Sequence, residues 1–156
     1  MQAGECLLSG LQIELRAAAR TLSVAVLTAP GGEETTVIEL NDTMLIVDRR
    51  RSSLTPDTND SRKTHNWFAQ NLTAMYAPLP PLGPSGQREL VVYVDGSAIE
   101  VFVDARVALT TLAFPQLAES TCVTVLAPGK EVPWDGAGLN ISLWKLGDAM
   151  LPPLPV

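Results

Sequence analysis

The sequence predicts an all-β fold, an antiparallel sandwich of two sheets in the jelly-roll or concanavalin-like style, with about nine strands. Runs of roughly five to nine β-branched and aliphatic residues recur along the chain. Gly, Pro, Asn and Asp separate these runs at short intervals, as turns between strands require. Helical periodicity is nearly absent, because the alanine-rich stretch from Leu15 to Arg20 is too short for more than one turn. A chain of 156 residues fits a single domain covering 1–156.

The strands are expected between the turn signals. In chain order they lie at 7–15, 21–29, 34–40, 43–48, 89–95, 98–104, 107–114, 121–127 and 139–146. They place the core of the domain in 7–147. Residues 148–156 are expected to form a flexible tail, because "LPPLPV" is too rich in proline to continue a sheet.

The stretch 49–88 differs in character from the strands around it. It is polar at first and then reads "APLPPLGPSG", whose prolines cannot donate to a strand ladder. We expect a long surface loop here. A loop of that length in a compact domain is usually functional or a contact surface.

The segment "VVYVDGSAIEVFVDARVALTTLAFP", residues 91–115, contains the strongest hairpin signal. Asp95-Gly96 between two apolar runs predicts a type I′ turn, which needs positive φ at both central residues. The pairing then sets Val94 opposite Ser97, and paired residues share one side of the sheet. One side is all aliphatic and faces the core, whereas the other is mixed. The aliphatic residues are Leu90, Val92, Val94, Ile99 and Val101, and the mixed ones are Val91, Tyr93, Ala98, Glu100 and Phe102.

Glu100 is the acidic residue of the mixed side. Burying its carboxylate without a partner would cost several kcal/mol. We therefore expect the carboxylate to remain solvated at one edge or to accept a hydrogen bond from a donor. One interpretation is a surface glutamate of the sandwich. The other is a binding group, because the flanking Tyr93 and Phe102 suit a sugar ring. Trp144 points outward in the last strand together with Asn140, and is either a contact for carbohydrate or a partner, or ordinary packing.

Cysteines and asparagines bear on the compartment of the protein. Cys6 and Cys122 are far apart in the chain and lack zinc-ligand spacing, so they form either one disulfide or two buried thiols. No metal and no cofactor is predicted. Four Asn-X-Ser/Thr triplets favour a secreted glycoprotein, although the first ten residues lack the pattern of a signal peptide. The candidate glycosylation sites are Asn41, Asn59, Asn71 and Asn140.

The charge balance limits the classes of partner. Eleven basic and seventeen acidic residues give a net charge of −6, which argues against a nucleic acid or an anionic membrane as the partner. No apolar run approaches the roughly 18 residues of a membrane-spanning helix. Neutral or cationic ligands remain open.

Residues 94–115, "VDGSAIEVFVDARVALTTLAFP", resemble the C-terminal β-sandwich domain of glycoside hydrolase family 32, which includes invertases, inulinases, levanases and fructosyltransferases. The family pattern is a strand ending in Val-Asp, then Ser, then Glu-Val-Phe, and a later strand ending in an aromatic residue and Pro. The matching residues are Val94, Asp95, Ser97, Glu100, Val101, Phe102, Phe114 and Pro115. "LIVDRRRSSLTPDTNDSRKTH" and "ISLWKL" are similar to two other strands of that domain, through Asp48, Arg49, Ser52, Ser53 and Trp144. A departure is Asp104-Ala105-Arg106, where the family commonly has Asn and Gly.

The resemblance, which spans residues 7–147, implies an accessory role. Family members carry their catalytic residues in a separate propeller, so no catalytic residue is predicted and the chain alone is not expected to be an enzyme. It would stabilise a propeller that processes fructan or sucrose, and aid oligomerisation through a homodimer partner or recruit carbohydrate. The alternative is an independent secreted module that binds carbohydrate or a cell surface. An accessory sandwich would leave an apolar patch beyond a few hundred Å² uncovered. The candidate contact residues are Glu100, Tyr93, Phe102, Trp144, Asp48 and Arg49.

Overall fold

The structure, a computed structural model, describes residues 6–10, 12–54, 73–126 and 140–146. Eleven β-strands are the regular elements of these ranges. None of the described residues belongs to a helix that could cross a membrane. The strands are β1 (Leu8–Ser9), β2 (Gln12–Ala19), β3 (Leu22–Thr28), β4 (Thr35–Leu40), β5 (Met44–Arg51), β6 (Ala74–Pro78), β7 (Arg88–Asp95), β8 (Ala98–Val103), β9 (Val107–Leu112), β10 (Cys122–Leu126) and β11 (Asn140–Lys145).

The strands form two sheets in which all pairs are antiparallel. The six-stranded sheet has the order β1-β10-β3-β4-β5-β6, and the five-stranded sheet has the order β11-β2-β7-β8-β9. The predicted two-sheet sandwich is therefore confirmed, with eleven strands among the described residues instead of about nine.

The core is built from alternate residues of the strands. β2 and β7 show this best, because buried and more exposed positions alternate along both. Full burial of a Val, Leu or Ile side chain stabilises the fold by roughly 1.5–3 kcal/mol, before the entropy of ordering is counted. The largest contributors include Ile13, Leu15, Val24, Val26, Leu27, Ile38, Leu45, Val47, Leu90, Val92, Val94, Ile99, Val101 and Val103.

The segment expected as one strand over 7–15 is divided between the two sheets. β1 pairs with β10 in the six-stranded sheet, whereas β2 pairs with β7 and β11 in the five-stranded sheet. The chain therefore changes sheets between Ser9 and Gln12. The alanine-rich stretch that could have formed a helical turn continues β2, where Ala17 and Ala19 are buried in the core.

The stretch 49–88, predicted as a loop, contains the end of β5 and the whole of β6. β6 pairs with β5 and forms one edge of the six-stranded sheet. An edge strand tolerates proline because only one of its sides is paired, and this explains how β6 ends in Pro78 yet belongs to the sheet. Residues 55–72 of the predicted loop, and the predicted tail 148–156, lie outside the described residues.

The β7–β8 hairpin has the predicted faces but a different register. Val94 pairs with Ile99, two residues beyond the expected partner. The turn residues are Gly96 and Ser97 rather than Asp95 and Gly96, and of the two only Gly96 has positive φ, at 57°. A glycine at the first central position is typical of a type II′ turn. Because the shift is by an even number of residues, the aliphatic side chains still face the core.

A buried carboxylate, that of Glu34, fastens one end of the sandwich. It accepts hydrogen bonds from the backbone N–H groups of Leu54 at 2.8 Å, Gln116 at 2.8 Å and Leu117 at 2.9 Å, and from the Ser120 hydroxyl at 2.7 Å. Burial raises the pKa of Glu34, but these donors outweigh it and the net pKa is lowered. The charged carboxylate therefore joins the start of β4 to the segments that follow β5 and β9.

A buried guanidinium, that of Arg88 at the start of β7, fastens the other end. It donates to Asp104 Oδ2 at 2.8 Å, and to the carbonyl oxygens of Asp42 at 2.7 Å and Pro80 at 2.6 Å. Asp104 lies in the β8–β9 turn and also accepts from the N–H of Glu89 at 2.9 Å. This cluster links the five-stranded sheet to the β4–β5 turn of the other sheet.

Cys6 and Cys122 are joined by a disulfide, with their Cα atoms 5.3 Å apart. Of the two alternatives that the sequence leaves open, the structure has the disulfide. The bond fixes the residues before β1 to the first residue of β10, next to a strand pair that is only two residues long. A cross-link over 116 residues stabilises the fold by about 4–5 kcal/mol in the chain-entropy account.

Candidate functional site: the outer face of the five-stranded sheet

Five residues in register form one row across the five-stranded sheet. Trp144 pairs with Glu14, Glu14 with Tyr93, Tyr93 with Glu100, and Glu100 with Thr110. Neighbouring strands lie about 4.8 Å apart, so the row is about 19 Å long. We call the side of the sheet that carries this row the outer face.

The outer face exists because each strand alternates between core and solvent. In β2, Ile13 and Leu15 are buried, which turns Glu14 and Arg16 to the other side. The same alternation in β8 buries Ile99 and Val101 and leaves Glu100 exposed. The polar and aromatic side chains therefore gather on one surface.

Aromatic and aliphatic side chains occupy much of this surface. The rings of Tyr93 and Phe102 meet edge to face, with centroids 6.2 Å apart and an angle of 76° between their planes. Trp144 is 46% exposed, and Leu112 in β9 and Leu146 just beyond β11 are 46% and 38% exposed. Three of the five large exposed hydrophobic residues in the described part of the chain therefore belong to this side.

Charged groups lie among the aromatic ones. Arg16 Nε donates to Glu14 Oε1 at 2.6 Å. The hydrogen bond and the charge of Glu14 raise the pKa of Arg16, and a contact with Tyr93 adds to this. Glu100 is exposed and makes no ion pair with any residue that the structure describes. It is thus a solvated carboxylate at the edge of an aromatic pair.

Asp48 and Arg49, the other two predicted contact residues, lie elsewhere, on β5 of the six-stranded sheet. Asp48 accepts from Arg50, whose hydrogen bonds lower the pKa of the Asp48 carboxyl group. Arg49 donates to the carbonyl oxygen of Leu112 at 2.9 Å, so it bridges β5 to β9 of the opposite sheet. Burial lowers the pKa of Arg49. Arg49 therefore connects the sheets, Asp48 holds a neighbour on its own strand, and neither is part of the outer face.

Sequence reasoning missed two charged residues of the outer face, Glu14 and Arg16. Their signal is present in "QIELRAAA", where polar and apolar residues alternate with a period of two. The run of alanines that follows suggested a helical turn and obscured that period.

Glu14 and Glu100 are the two carboxylates of the row. Hydrolysis of a glycoside needs two carboxyl groups about 5–9.5 Å apart around the scissile bond, with separated pKa values. Glu14 and Glu100 are two strands apart, which puts their backbones about 10 Å from each other. Tyr93 lies between them and Arg16 holds the carboxylate of Glu14. Exposed aromatic groups with charged neighbours are typical of surfaces that bind a partner.

Two of the candidate glycosylation sites, Asn59 and Asn71, lie outside the described residues. Asn140 is the first residue of β11, where it pairs with Ala18. Asn41 lies between β4 and β5, and its side chain forms part of that turn.

The fold and the outer face together define a class, a two-sheet β-sandwich module with an exposed aromatic and charged surface. Residues 3–145 match the family described as glycosyl hydrolases family 32 C terminal. This match covers most of the 156 residues, and the chain belongs to that family. No curated protein matches the sequence.

Solved structures of related architecture are available for comparison. The exo-inulinase from Aspergillus awamori is 17% identical with a TM-score of 0.69, covering 92% of this chain and 26% of the enzyme. Fructan 1-exohydrolase IIa from Cichorium intybus is 12% identical with a TM-score of 0.64, covering 93% and 33%. Sucrose-6-phosphate hydrolase from Lactobacillus gasseri is 18% identical with a TM-score of 0.62, covering 94% and 27%. The chain thus spans about a quarter to a third of each protein, and the likeness shows a shared fold.

Proposed function

We propose that the chain is a noncatalytic accessory module of an enzyme that processes fructan or sucrose, and that its outer face contacts a catalytic propeller. Family membership supports the accessory role, since the matched family is the C-terminal part of such hydrolases. The single observation that carries the contact surface is the aromatic row from Trp144 to Glu100.

The make-up of the outer face fits a protein contact. Interfaces between proteins have an apolar and aromatic centre with charged groups at the rim, and Trp, Tyr and Arg supply most of their binding energy. Here Tyr93, Phe102 and Trp144 form the aromatic part, and Arg16 and Glu100 provide the charges. Glu14 already pairs with Arg16, so docking would not leave either charge buried alone.

A carbohydrate-binding module is the second candidate. It is favoured by the indole of Trp144 next to the carboxylate of Glu14. A sugar presents an apolar ring face to an aromatic side chain and hydroxyl groups to a carboxylate, so this pair has the required chemistry.

Co-expression with a panel of family 32 propellers, made without their own sandwiches, tests the proposed contact. We expect the chain to copurify with a propeller and to increase its soluble yield. Trp144→Ser and Tyr93→Ser should each weaken the complex at least tenfold, because each removes an exposed or half-exposed aromatic group from the outer face. Tyr76→Ser is the matched control, since Tyr76 is 63% exposed on the six-stranded sheet.

The outcome separates the two candidates. Retention of a propeller by the parent chain and by Tyr76→Ser, but not by the two outer-face variants, supports the accessory module. If none of the propellers is retained, the contact proposal is wrong. Saturable titration of the chain with a fructo-oligosaccharide, lost in Trp144→Ser, would then identify a carbohydrate-binding module. In either case we expect no release of fructose from sucrose or inulin by the chain alone.

A further inference from the structure

We propose that Asn41 carries an N-linked glycan. The triplet Asn41-Asp42-Thr43 connects β4 to β5 and has the acceptor pattern for this modification. The inference does not depend on the accessory role proposed above.

The side chain of Asn41 is oriented by its oxygen. Oδ1 accepts hydrogen bonds from the N–H of Thr43 at 3.0 Å and of Met44 at 2.9 Å, and from the Thr43 hydroxyl at 3.3 Å. Such contacts are typical of an Asx turn. The nitrogen Nδ2 donates to no residue in the part of the chain that the structure describes, so it is available for a new bond.

The new bond is made at that nitrogen, and the Thr43 hydroxyl completes the acceptor triplet. In the transfer, one N–H bond of the amide is replaced by a bond from Nδ2 to the anomeric carbon of a lipid-pyrophosphate-linked oligosaccharide. The bond between that carbon and the pyrophosphate oxygen breaks, and the lipid pyrophosphate leaves with the proton. Oδ1 takes no part in the exchange, so the turn it holds is kept in the product.

The backbone of the triplet is held by contacts that a glycan would not disturb. The carbonyl oxygen of Asp42 accepts from Arg88 at 2.7 Å, and that of Thr43 accepts from the N–H of Leu79 at 2.8 Å. Asn41 is half-buried and Thr43 is exposed. Attachment at Nδ2 therefore breaks no described hydrogen bond.

The disulfide between Cys6 and Cys122 is a second, independent observation. Disulfides persist in oxidising compartments such as the endoplasmic reticulum and the cell exterior. The endoplasmic reticulum is also the compartment in which Asn-X-Thr triplets are glycosylated. The two features are consistent with one secretory route.

Asn41 lies at one end of the sandwich, away from the row that begins at Trp144. Its turn lies at the end of the sandwich held by Arg88, which pairs with Ala19. Trp144 pairs with Glu14. Glu14 lies five residues from Ala19 along β2, which is a distance of about 17 Å. The attachment point is therefore separated from the row along the length of β2.

Translation in the presence of microsomes tests the proposal directly. The full chain is placed behind a cleavable signal peptide, and glycans are read by an endoglycosidase-sensitive gel shift and by peptide mass. We expect a modified Asn41 peptide. Thr43→Ala should remove one glycan and Thr43→Ser should retain it.

Asn41→Asp is the matched control, because its carboxylate can hold the Asx turn but cannot be glycosylated. This variant should lose one glycan and still form the disulfide. An Asn41 peptide that is unmodified in the parent chain, or a glycan count that Thr43→Ala and Asn41→Asp leave unchanged, would overturn the proposal.

Discussion

Glu34 and Arg88 are fully buried charges at the two ends of the sandwich, and the fold compensates them in different ways. The carboxylate of Glu34 is surrounded by three backbone N–H groups and one hydroxyl. The guanidinium of Arg88 has a carboxylate partner in Asp104 and two carbonyl oxygens. One charge is thus stabilised by neutral dipoles and the other by an ion pair.

The stability of the Glu34 end therefore depends on protonation, and that of the Arg88 end depends on an intact ion pair. Neutral donors favour only the charged form of Glu34, so that end is sensitive to protonation. The Arg88 end depends on one residue at the start of β7 and one in the β8–β9 turn, and removal of either leaves the other charge without its partner. Asp104 keeps 27% side-chain exposure, whereas Arg88 has none. Loss of the aspartate would therefore leave a fully buried charge, whereas loss of the arginine leaves a partly solvated carboxylate but also removes the donor of two carbonyl groups.

Arg88→Met should produce the largest loss of stability. It leaves the Asp104 carboxylate and the carbonyl groups of Asp42 and Pro80 without their donor, and removal of one partner of a buried pair costs about 3–5 kcal/mol. Urea unfolding measures the loss. Arg20→Met is the control, because Arg20 pairs with Asp42 on the surface, and it should leave the urea midpoint nearly unchanged. Equal effects of the two variants would show that burial does not distinguish these ion pairs.

Glu34→Gln should have the next largest effect. The amide has nearly the same shape as the carboxylate, but its NH₂ group must face an N–H or O–H donor from which the carboxylate accepted a hydrogen bond. We expect this to lower the free energy of unfolding by about 1–3 kcal/mol. Glu39→Gln, at an exposed position of β4, is the matched control. Hydrogen exchange should accelerate at Leu54, Gln116 and Leu117 in Glu34→Gln alone. Unchanged exchange there would mean that Glu34 does not hold these segments.

The contribution of Glu34 should depend on pH. Because its pKa is lowered in the folded protein, the stabilisation is fully present above the unfolded pKa, about 4.3. It is lost as the pH falls through the lower folded value. The difference in urea midpoint between the parent chain and Glu34→Gln should therefore be constant near neutral pH and shrink in acid. A difference that grows in acid would contradict the sign of this pKa shift.

The sandwich and the faces of its central hairpin could be predicted because alternation is robust. A period of two assigns Val92 and Val101 to the core and Glu100 to the outside regardless of the exact turn. The register could not be predicted in the same way, since Asp95-Gly96 and Gly96-Ser97 are both acceptable turns. The pairing of the sheet decides between them.

The two end charges could not be predicted from local sequence. Glu34 follows "GGE" and precedes "TT", a context that reads as a solvated turn, and its donors are up to 86 positions away. Arg88 stands beside polar residues at the start of a strand. The partners of both residues become neighbours only when the sheets pack, so no periodic signal marks them. The row across the outer face could be predicted in part, because its residues alternate with core residues along their strands. Its pairing through β2 could not be predicted.

Ala105→Gly should give the smallest change in stability, and it should stabilise the fold whereas the other variants destabilise it. Asp104 and Ala105 have φ of 54° and 50° in the β8–β9 turn, a region that costs a residue with a Cβ roughly 1–2 kcal/mol. Glycine removes that cost, but its greater freedom in the unfolded chain offsets part of the benefit and leaves about 0.5–1 kcal/mol of stabilisation. Gly96→Ala, at φ 57° with no atom near the added Cβ, should destabilise by a similar amount.

The same substitution, made in the Arg88→Met background, tests whether Arg88 imposes the conformation of the β8–β9 turn. If the turn adopts its conformation by itself, the gain from Ala105→Gly should be the same in both backgrounds, because backbone strain and the ion pair are then independent. If Arg88 imposes that conformation through Asp104, the gain should shrink once the arginine is removed, since the turn can then relax. Urea midpoints of the four proteins decide between these outcomes. We expect the smaller gain, because the carboxylate of Asp104 binds Arg88 and the N–H of Glu89 at once.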